Sequence, residues 1–187
     1  FYYTHDVNDA VSVKGGIYYV DSNLDNGNGT TIKNGGTGDD WVSDCAVGND
    51  GEVRMVGQFE RTATFGFTNV TSNGWWDMFH ARAYSNGAWG DITSAGGGGW
   101  ESLVSIALDQ QDNAFVTGTY ASPFTLGIDQ LADFDNNGDR RDVFVALLDS
   151  DDEWMWANSG GGNGDDISTA IALDPDGSPI IGMEYSN

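Results

Sequence analysis

Short apolar runs, separated by turns of glycine, aspartate and asparagine, recur along this chain at a spacing of a little over sixty residues. The clearest copies are GGTGDDWVSDCAVGNDGEVRMVGQF (35–59), GGGGWESLVSIALDQQDNAFVTGTY (96–120) and GGNGDDISTAIALDPDGSPIIGMEY (161–185), which start 96 − 35 = 61 and 161 − 96 = 65 residues apart. Self-similarity at a nearly constant period indicates one supersecondary unit used several times. Each copy has two apolar runs around an acidic or amide turn, with a glycine inside the second run (Gly57, Gly118 and Gly182).

Each copy therefore predicts a β-hairpin, because its central turn is rich in residues that tolerate positive φ and stands between strand-forming runs. Two further runs follow, a third at 79–85 and 144–150 and a fourth at 89–93 and 154–158. No window of about 12 residues shows a helical period of apolar positions that is free of glycine, aspartate or asparagine breaks. We expect an all-β chain with four antiparallel strands in each repeat.

Residues 1–34 carry the third and fourth runs alone, at 16–22 and 30–33. The predicted units are therefore the second half of a blade (1–34), two whole blades (35–95 and 96–160) and the first half of a blade (161–187). Four-stranded antiparallel units repeated at this period are typical of a propeller-type array, and the strands amount to three blades.

Three blades are fewer than the roughly four to eight of closed propellers. The chain is therefore expected to assemble with copies of itself, to belong to a longer chain, or to stack its units in an open row. The incomplete blades at the two termini are complementary. They predict either one ring closed by a shared blade or head-to-tail strand pairing between copies, which gives a ring or a filament.

The repeat also resembles a known family, through the opening GGTGDD (35–40), the strand end VGQF (56–59), the triplet TFG (64–66) and the run DVFVALLDS (142–150). Their order closely resembles the SBBP-type beta-propeller repeat, common in secreted bacterial and archaeal proteins, over nearly the whole chain. The resemblance implies a propeller fold and an extracellular or cell-surface location, and no particular activity. The chain departs from the pattern at Trp100-Glu101 and at Tyr84, where aspartates are usual.

The charge balance narrows the possible partners. Seven Lys and Arg against 29 Asp and Glu give 7 − 29 = −22, a charge that repels phosphate backbones and anionic membranes, so no nucleic-acid binding is expected. No apolar stretch approaches the roughly 18 residues of a membrane span, so no membrane insertion is expected. Cys45, the single cysteine, falls on an apolar run and is expected to be a buried thiol. A chain that begins at Phe1 without a signal peptide is expected to be processed or partial.

The sequence carries no recognised catalytic pattern. Its glycine runs lack a following Lys-Ser or Lys-Thr, no G-x-S-x-G occurs, and the two histidines, His5 and His80, form no spaced metal or triad motif. We therefore do not expect an enzyme.

The strongest chemical signal is DFDNNG (133–138), which fits the calcium-loop pattern D-x-[DN]-x-[DN]-G. Alternating side-chain oxygens, with a glycine at the sharp turn, let a short loop surround a hard cation. Phe144 stands where an EF-hand has its bidentate glutamate, so we expect a non-EF Ca²⁺ loop between the second and third strands, with a plain Asx turn as the alternative. The expected ligands are Asp133, Asp135, Asn137, Asp139 and Asp142.

Aromatic residues are frequent, and most recur at strand positions where packing between blades explains them. Trp75 and Trp76 differ, because they precede a third strand where other copies have polar residues. At least one of these rings is expected to be exposed and to offer a surface for glycans. Asn28 and Asn69 each begin an acceptor sequon for N-glycosylation.

Together these features predict an extracellular structural protein, a subunit of a filament, surface layer or adhesive assembly, joined to copies of itself by strand complementation and stabilised by Ca²⁺. The alternative function is a lectin-like module that binds carbohydrate or protein through Trp75 and Trp76 or through the loop face of the blades.

Overall fold

The computed structural model describes residues 38–84, 88–134 and 140–186 in full, and the backbone of residues 24–25, 31–32 and 34–36. The described residues form seventeen strands and no helix, which confirms the all-β prediction. The strands are β1 (Leu24–Asp25), β2 (Thr31–Ile32), β3 (Asn34–Gly36), β4 (Asp40–Val47), β5 (Val53–Phe59), β6 (Thr62–Phe65), β7 (Thr68–Thr71), β8 (Asp77–Ala83), β9 (Trp89–Ala95), β10 (Glu101–Leu108), β11 (Ala114–Tyr120), β12 (Phe124–Leu126), β13 (Asp129–Leu131), β14 (Asp142–Leu148), β15 (Trp154–Gly160), β16 (Ile167–Leu173) and β17 (Pro179–Glu184).

Two four-stranded antiparallel sheets contain most of the strand residues of the described chain. The first has the order β4-β5-β8-β9 and the second β10-β11-β14-β15, so the main strands of each lie side by side in chain order. β16 and β17 pair as the first two strands of a third copy. No sheet among the described residues closes on itself. The first strands β4, β10 and β16 each follow a glycine cluster, as the repeat pattern predicts.

The three copies share one irregularity of register. The first strand of each carries a bulge at the same repeat position, at residues 43, 104 and 169. The residue before the bulge pairs with Gly57 in the first copy and with Gly118 in the second, but with Met183 in the third. Gly182, which the repeat pattern groups with the other two glycines, therefore lies one position earlier in the sheet.

Each four-stranded sheet also carries a small hairpin between its second and third strands, β6–β7 in the first and β12–β13 in the second. The prediction of four strands per repeat lacked these hairpins. Their two-residue turns are Gly66-Phe67 and Gly127-Ile128, and the glycines have φ of 60° and 63°. Glycine with positive φ at the first turn position is the requirement of a type II′ hairpin.

The hairpins fold against the outer strands of their sheets. A Cβ atom added at Gly66 would lie 3.0 Å from the ring of Trp89, and one added at Gly127 would lie 2.9 Å from Trp154 Cβ. These tryptophans begin the fourth strands β9 and β15. β3 adds a third strand to the first hairpin, beside β6.

Consecutive units are linked by the same main-chain contact. Glu101 N donates to Trp76 O at 2.8 Å, and one repeat later Asp166 N donates to Arg141 O at 2.7 Å. β10 packs against β4, β5 and β8, and β16 packs against β10, β11 and β14. The units therefore follow one another with similar relative placement.

The main apolar core lies between the two four-stranded sheets. It includes Val56 and Met78 of the first sheet and Leu103 and Val116 of the second, all of them completely buried. Because alternate residues of a strand point to opposite faces, a second cluster around Phe79 lies on the other face of the first sheet. Cys45, expected to be buried, is half-buried on β4 opposite Met55.

The N-terminal half-unit is described only in part. β1 pairs with β2, which lies within the fourth run predicted at 30–33, whereas β1 includes Asp25 of the turn predicted at 25–27. The strand predicted at 16–22 lies outside the described residues.

Candidate functional site

The outer edge of β17 is the clearest unpaired feature of the described chain. In the complete units the second strand lies between two neighbours, β5 between β4 and β8, and β11 between β10 and β14. β17 pairs with β16 on one side, and no described strand pairs with its other side. Such an edge presents main-chain donors and acceptors to a further strand.

Side chains along β17 are exposed where their counterparts are buried. Continuing the register of the three copies, Tyr185 corresponds to Phe59 and Tyr120. Tyr185 is 74% exposed, whereas both counterparts are 0% exposed. Met183, on the same face of β17 as Tyr185, is 44% exposed. The third unit therefore has an apolar face that the complete units cover.

A cleft of about 490 Å³ separates β17 from the second sheet. Residues that line it come from β14, β15, the segment before β16 and the region of β17, and include Val143, Val145, Ser159, Ile181, Met183 and Tyr185. On the first sheet, the turn between β14 and β15 occupies the corresponding place. Thr93 Oγ1 of the first sheet donates there to Asp152 O of that turn at 3.3 Å. The cleft therefore lies where the third and fourth strands of a complete third unit would pack.

A buried group of charged side chains joins the two four-stranded sheets. Arg54 on β5 lies 3.0 Å from both Glu52 Oε1 and Asp152 Oδ1. Arg82 on β8 lies 2.9 Å from Asp152 Oδ2 and 3.4 Å from Glu52 Oε2. Both arginines also donate to Ser150 O. The first sheet thus supplies two cations and one anion, and the turn of the second sheet supplies the other anion. We call these four side chains with His80 the ionic cluster.

His80 is completely buried within this cluster. Neither ring nitrogen has a hydrogen-bond partner among the described residues, and Nδ1 lies 3.7 Å from Asp152 Oδ1. Burial, reinforced by the charges of Arg54 and Arg82, lowers the pKa of His80 to about 3, so its imidazole is neutral. Burial raises the pKa of Asp152, and the two arginines oppose that rise. The cluster has balanced charge and holds two sheets together.

The sequence analysis missed the ionic cluster, although a signal was present. Arg54 and Arg82 are two of only seven basic residues, and both interrupt strand-forming runs. Basic residues are rarely buried unless they are paired, so their positions on predicted strands could have pointed to buried ion pairs. Their partner Asp152 lies 152 − 54 = 98 residues after Arg54 and 152 − 82 = 70 residues after Arg82, in a turn that sequence spacing does not connect with them.

Buried carboxylates lie at the junction between the first and second units. Asp77 accepts hydrogen bonds from Asn73 N at 3.0 Å and Gly74 N at 3.4 Å. Glu101 accepts from Gly97 N at 2.9 Å and from Ser122 Oγ at 3.2 Å. Burial raises the pKa of Glu101 to about 7, and the charge of Asp77 acts in the same direction.

Replacing Glu101 with glutamine is expected to flatten the pH dependence of stability. The folded pKa of about 7 exceeds the ordinary value of 4.5, so the stability that Glu101 contributes is complete below the unfolded pKa and is lost as pH rises through about 7. Urea unfolding of the native protein should therefore show a loss of about 2–3 kcal/mol between pH 4.5 and 8 that Glu101→Gln lacks. The exposed Glu153→Gln serves as control, and equal pH slopes in all three proteins would contradict the assignment.

Two of the five predicted calcium ligands are among the described residues. Asp142 begins β14 and is buried, and its Oδ2 accepts from Phe134 N at 3.2 Å. Asp133 and Asp142 both lie near Tyr120, whose pKa rises to about 12, mainly through burial. Among the described residues, no group of three or more His, Cys, Asp or Glu is placed to hold a metal. The other predicted ligands, Asp135, Asn137 and Asp139, lie outside the described residues, and the Ca²⁺ loop stays a prediction that calorimetric titration can test.

Trp75 is 77% exposed, as expected of at least one ring of the pair. Trp76 is half-buried and stacks face to face on Trp41, with ring centroids 4.7 Å apart and planes 7° from parallel. Trp41 is itself 51% exposed, and sequence reasoning did not place it here, because it lies on the first strand of the sheet. We call these three residues the tryptophan surface.

The sequons lie in the N-terminal region and the first hairpin. Asn69 is exposed on β7, and its Oδ1 accepts a hydrogen bond from Thr64 Oγ1 at 2.8 Å. Asn28 lies outside the described residues. Glycosylation of either residue stays a prediction.

No protein-family model matches the chain, and no curated protein matches its sequence. In the part of the chain that the structure describes, no helix has the length and apolar character needed to cross a membrane.

Proposed function

We propose that this protein is an extracellular structural subunit, built from propeller-type blades and joined to copies of itself by strand complementation in a filament, surface layer or adhesive assembly. The observation that carries the proposal is the open edge of β17 beside an apolar cleft. In the two complete units, the corresponding strand is paired on both sides and the corresponding face is covered.

The blade interpretation is part of the proposal. Four main strands in chain order, stacked face to face through repeated main-chain contacts, are features of propeller blades. The two four-stranded sheets and the β16–β17 pair keep the phasing of the glycine clusters at 35, 96 and 161. The SBBP-like order of motifs supports the same interpretation, and secretion comes from that resemblance alone.

The proposed occupant of the cleft is a pair of third- and fourth-type strands from a second copy. Residues 1–34 carry the sequence pattern of those two strands, so each copy has the pattern that the open unit of another lacks. Strand pairing would satisfy the main-chain groups of β17, and apolar side chains would cover Ile181, Met183 and Tyr185. Copies that each carry a net charge of −22 repel one another, so association is expected to strengthen as salt screens that repulsion.

Light scattering after size-exclusion chromatography, with electron microscopy of the same sample, tests the proposal. The native protein is expected to form particles larger than one chain, increasingly so at higher salt. The variant Met183→Lys/Tyr185→Lys places two cations in the cleft and is expected to remain a monomer, because an incoming strand would have to bury both charges. Both side chains are exposed in the single chain, so the substitutions are expected to leave its fold intact.

The matched control is Ile128→Lys, which changes an 89% exposed residue at the tip of a hairpin. It is expected to associate like the native protein. A native protein that stays monomeric at all salt concentrations would contradict the proposal. Assembly of the double variant to the same extent as the native protein would contradict it as well.

A further inference from the structure

We propose that the tryptophan surface, formed by Trp41, Trp75 and Trp76, is a binding site for the flat faces of neutral sugar rings in an oligosaccharide. The inference does not depend on the proposed assembly, because these residues lie on the first sheet and its junction with the second, away from β17.

The surface is held rigidly by main-chain contacts between two units. Trp75 N donates to Gly99 O at 3.1 Å, and Trp76 O accepts from Glu101 N at 2.8 Å. Trp76 also forms a parallel bridge with Trp100, and its ring is supported from one side by Trp41. Trp41 and Trp76 are thus ordered against each other before a ligand binds, which lowers the entropic cost of association.

The space beside the rings is open and polar. A Cβ atom added at Gly98 would meet nothing within 4 Å, so the glycine-rich segment next to Trp75 leaves room for a ligand. Asn73 is exposed, and its Nδ2 donates to Gly96 O at 3.5 Å, at the start of that glycine-rich segment. A sugar ring matches such a place, because its C–H face can lie on an indole while its hydroxyl groups meet polar neighbours and water.

The size of the surface favours a small ligand over a protein. With Trp75 77% and Trp41 51% exposed, and up to about 250 Å² for each side chain, the two rings offer about 300 Å². A stable protein–protein interface needs about 800 Å² from each partner. One or two sugar units fit the smaller area.

The net charge of the chain favours uncharged sugars over acidic ones. At −22 the protein repels acidic polysaccharides. In the second unit the position of Trp76 is held by Arg141, which lies over the Trp100 ring at 5.5 Å and pairs with Asp165 at 3.3 Å. The first unit has an uncharged ring in place of that cation, so its stacking surface suits an uncharged ligand.

Tryptophan fluorescence and calorimetric titration of the whole chain with cellohexaose and chitohexaose, both neutral, test the proposal. Polygalacturonate serves as the anionic probe and chitosan oligomers as the cationic probe. Saturable binding of at least one neutral hexamer is expected, with Trp75→Ala and Trp41→Ala each weakening it at least tenfold. Met155→Ala, which changes a residue that is 51% exposed on β15, is expected to bind like the native protein.

Three results would overturn the proposal. They are no binding of either neutral hexamer, binding that Trp75→Ala leaves unchanged, and preference for a charged probe. Loss of self-association in Trp75→Ala without any sugar binding would show instead that the tryptophan surface is a contact between copies. Because the β17 variants leave this surface intact, they are expected to bind sugar even where assembly fails.

Discussion

Asp152→Asn is expected to lower the free energy of unfolding by about 3 kcal/mol or more. The substitution keeps the size of the side chain but removes the charge that faces Arg54 and Arg82 at 3.0 and 2.9 Å. Both guanidinium groups are largely buried. In the variant, the single negative charge of Glu52 therefore has to balance two buried cations. Chemical unfolding followed by tryptophan fluorescence measures the loss.

The turn between β10 and β11 provides a matched control. Asp112 takes the same left-handed position as Asp152, with φ of 62° against 65°, but its carboxylate accepts a hydrogen bond from Asn49 N at 3.0 Å near the surface and, among the described residues, forms no ion pair. Asp112→Asn is expected to change stability by less than about 0.5 kcal/mol. Equal losses in the two variants would show that the turn conformation matters and the ionic cluster does not.

A cluster swap separates the charge from the packing. On the second sheet, the positions of Glu52, Arg54 and Arg82 are held by Asn113, Phe115 and Leu147. Introducing those residues into the first sheet together with Asp152→Gly removes all four charges at once. Since a buried ion group can often be replaced by apolar residues without loss, this variant is expected to recover most of the stability that Asp152→Asn loses.

The ionic cluster also shows where sequence reasoning stops. Strand type and phasing could be predicted, because the Gly-rich openings and the apolar runs are local signals that recur. The contact of Arg54 with Asp152, and of Trp41 with Trp76, depends on how strands pair and sheets stack across long stretches of chain. The small hairpins were missed for a different reason, since runs of three or four residues such as Phe124–Leu126 are too short to show alternation.

The exposed edge of β17 was predicted in outline, from a chain whose last repeat has only two runs. The structure adds the exposure of Tyr185 and the cleft beside it, which decide where an incoming strand would lie. For the candidate calcium loop the structure adds less to the sequence prediction, because the central residues of the loop lie outside the described part of the chain.

Gly118→Ala is expected to cost about 3 kcal/mol or more. A Cβ atom at this position would overlap Ser102 O and would lie 2.5 Å from Cε1 of Phe144, a ring that is completely enclosed by the core. Neither neighbour can move, since one is backbone and the other is packed on every side. Urea unfolding at neutral pH measures the effect, and Gly160→Ala, whose Cβ would meet nothing within 4 Å, is the control expected to stay within about 0.5 kcal/mol.

Gly182→Ala then tests the register of the third unit. The repeat pattern groups Gly182 with Gly118, and if the two were equivalent in the sheet, both substitutions would be equally damaging. The structure pairs Gly182 with Ala170 and places only Thr169 Oγ1 near its Cβ position, at 2.9 Å. Because Thr169 is exposed and its hydroxyl can rotate away, the expected cost is below about 1 kcal/mol. A loss as large as that of Gly118→Ala would mean that β17 pairs one residue out of the register described here, and that Ile181, Met183 and Tyr185 do not face the cleft.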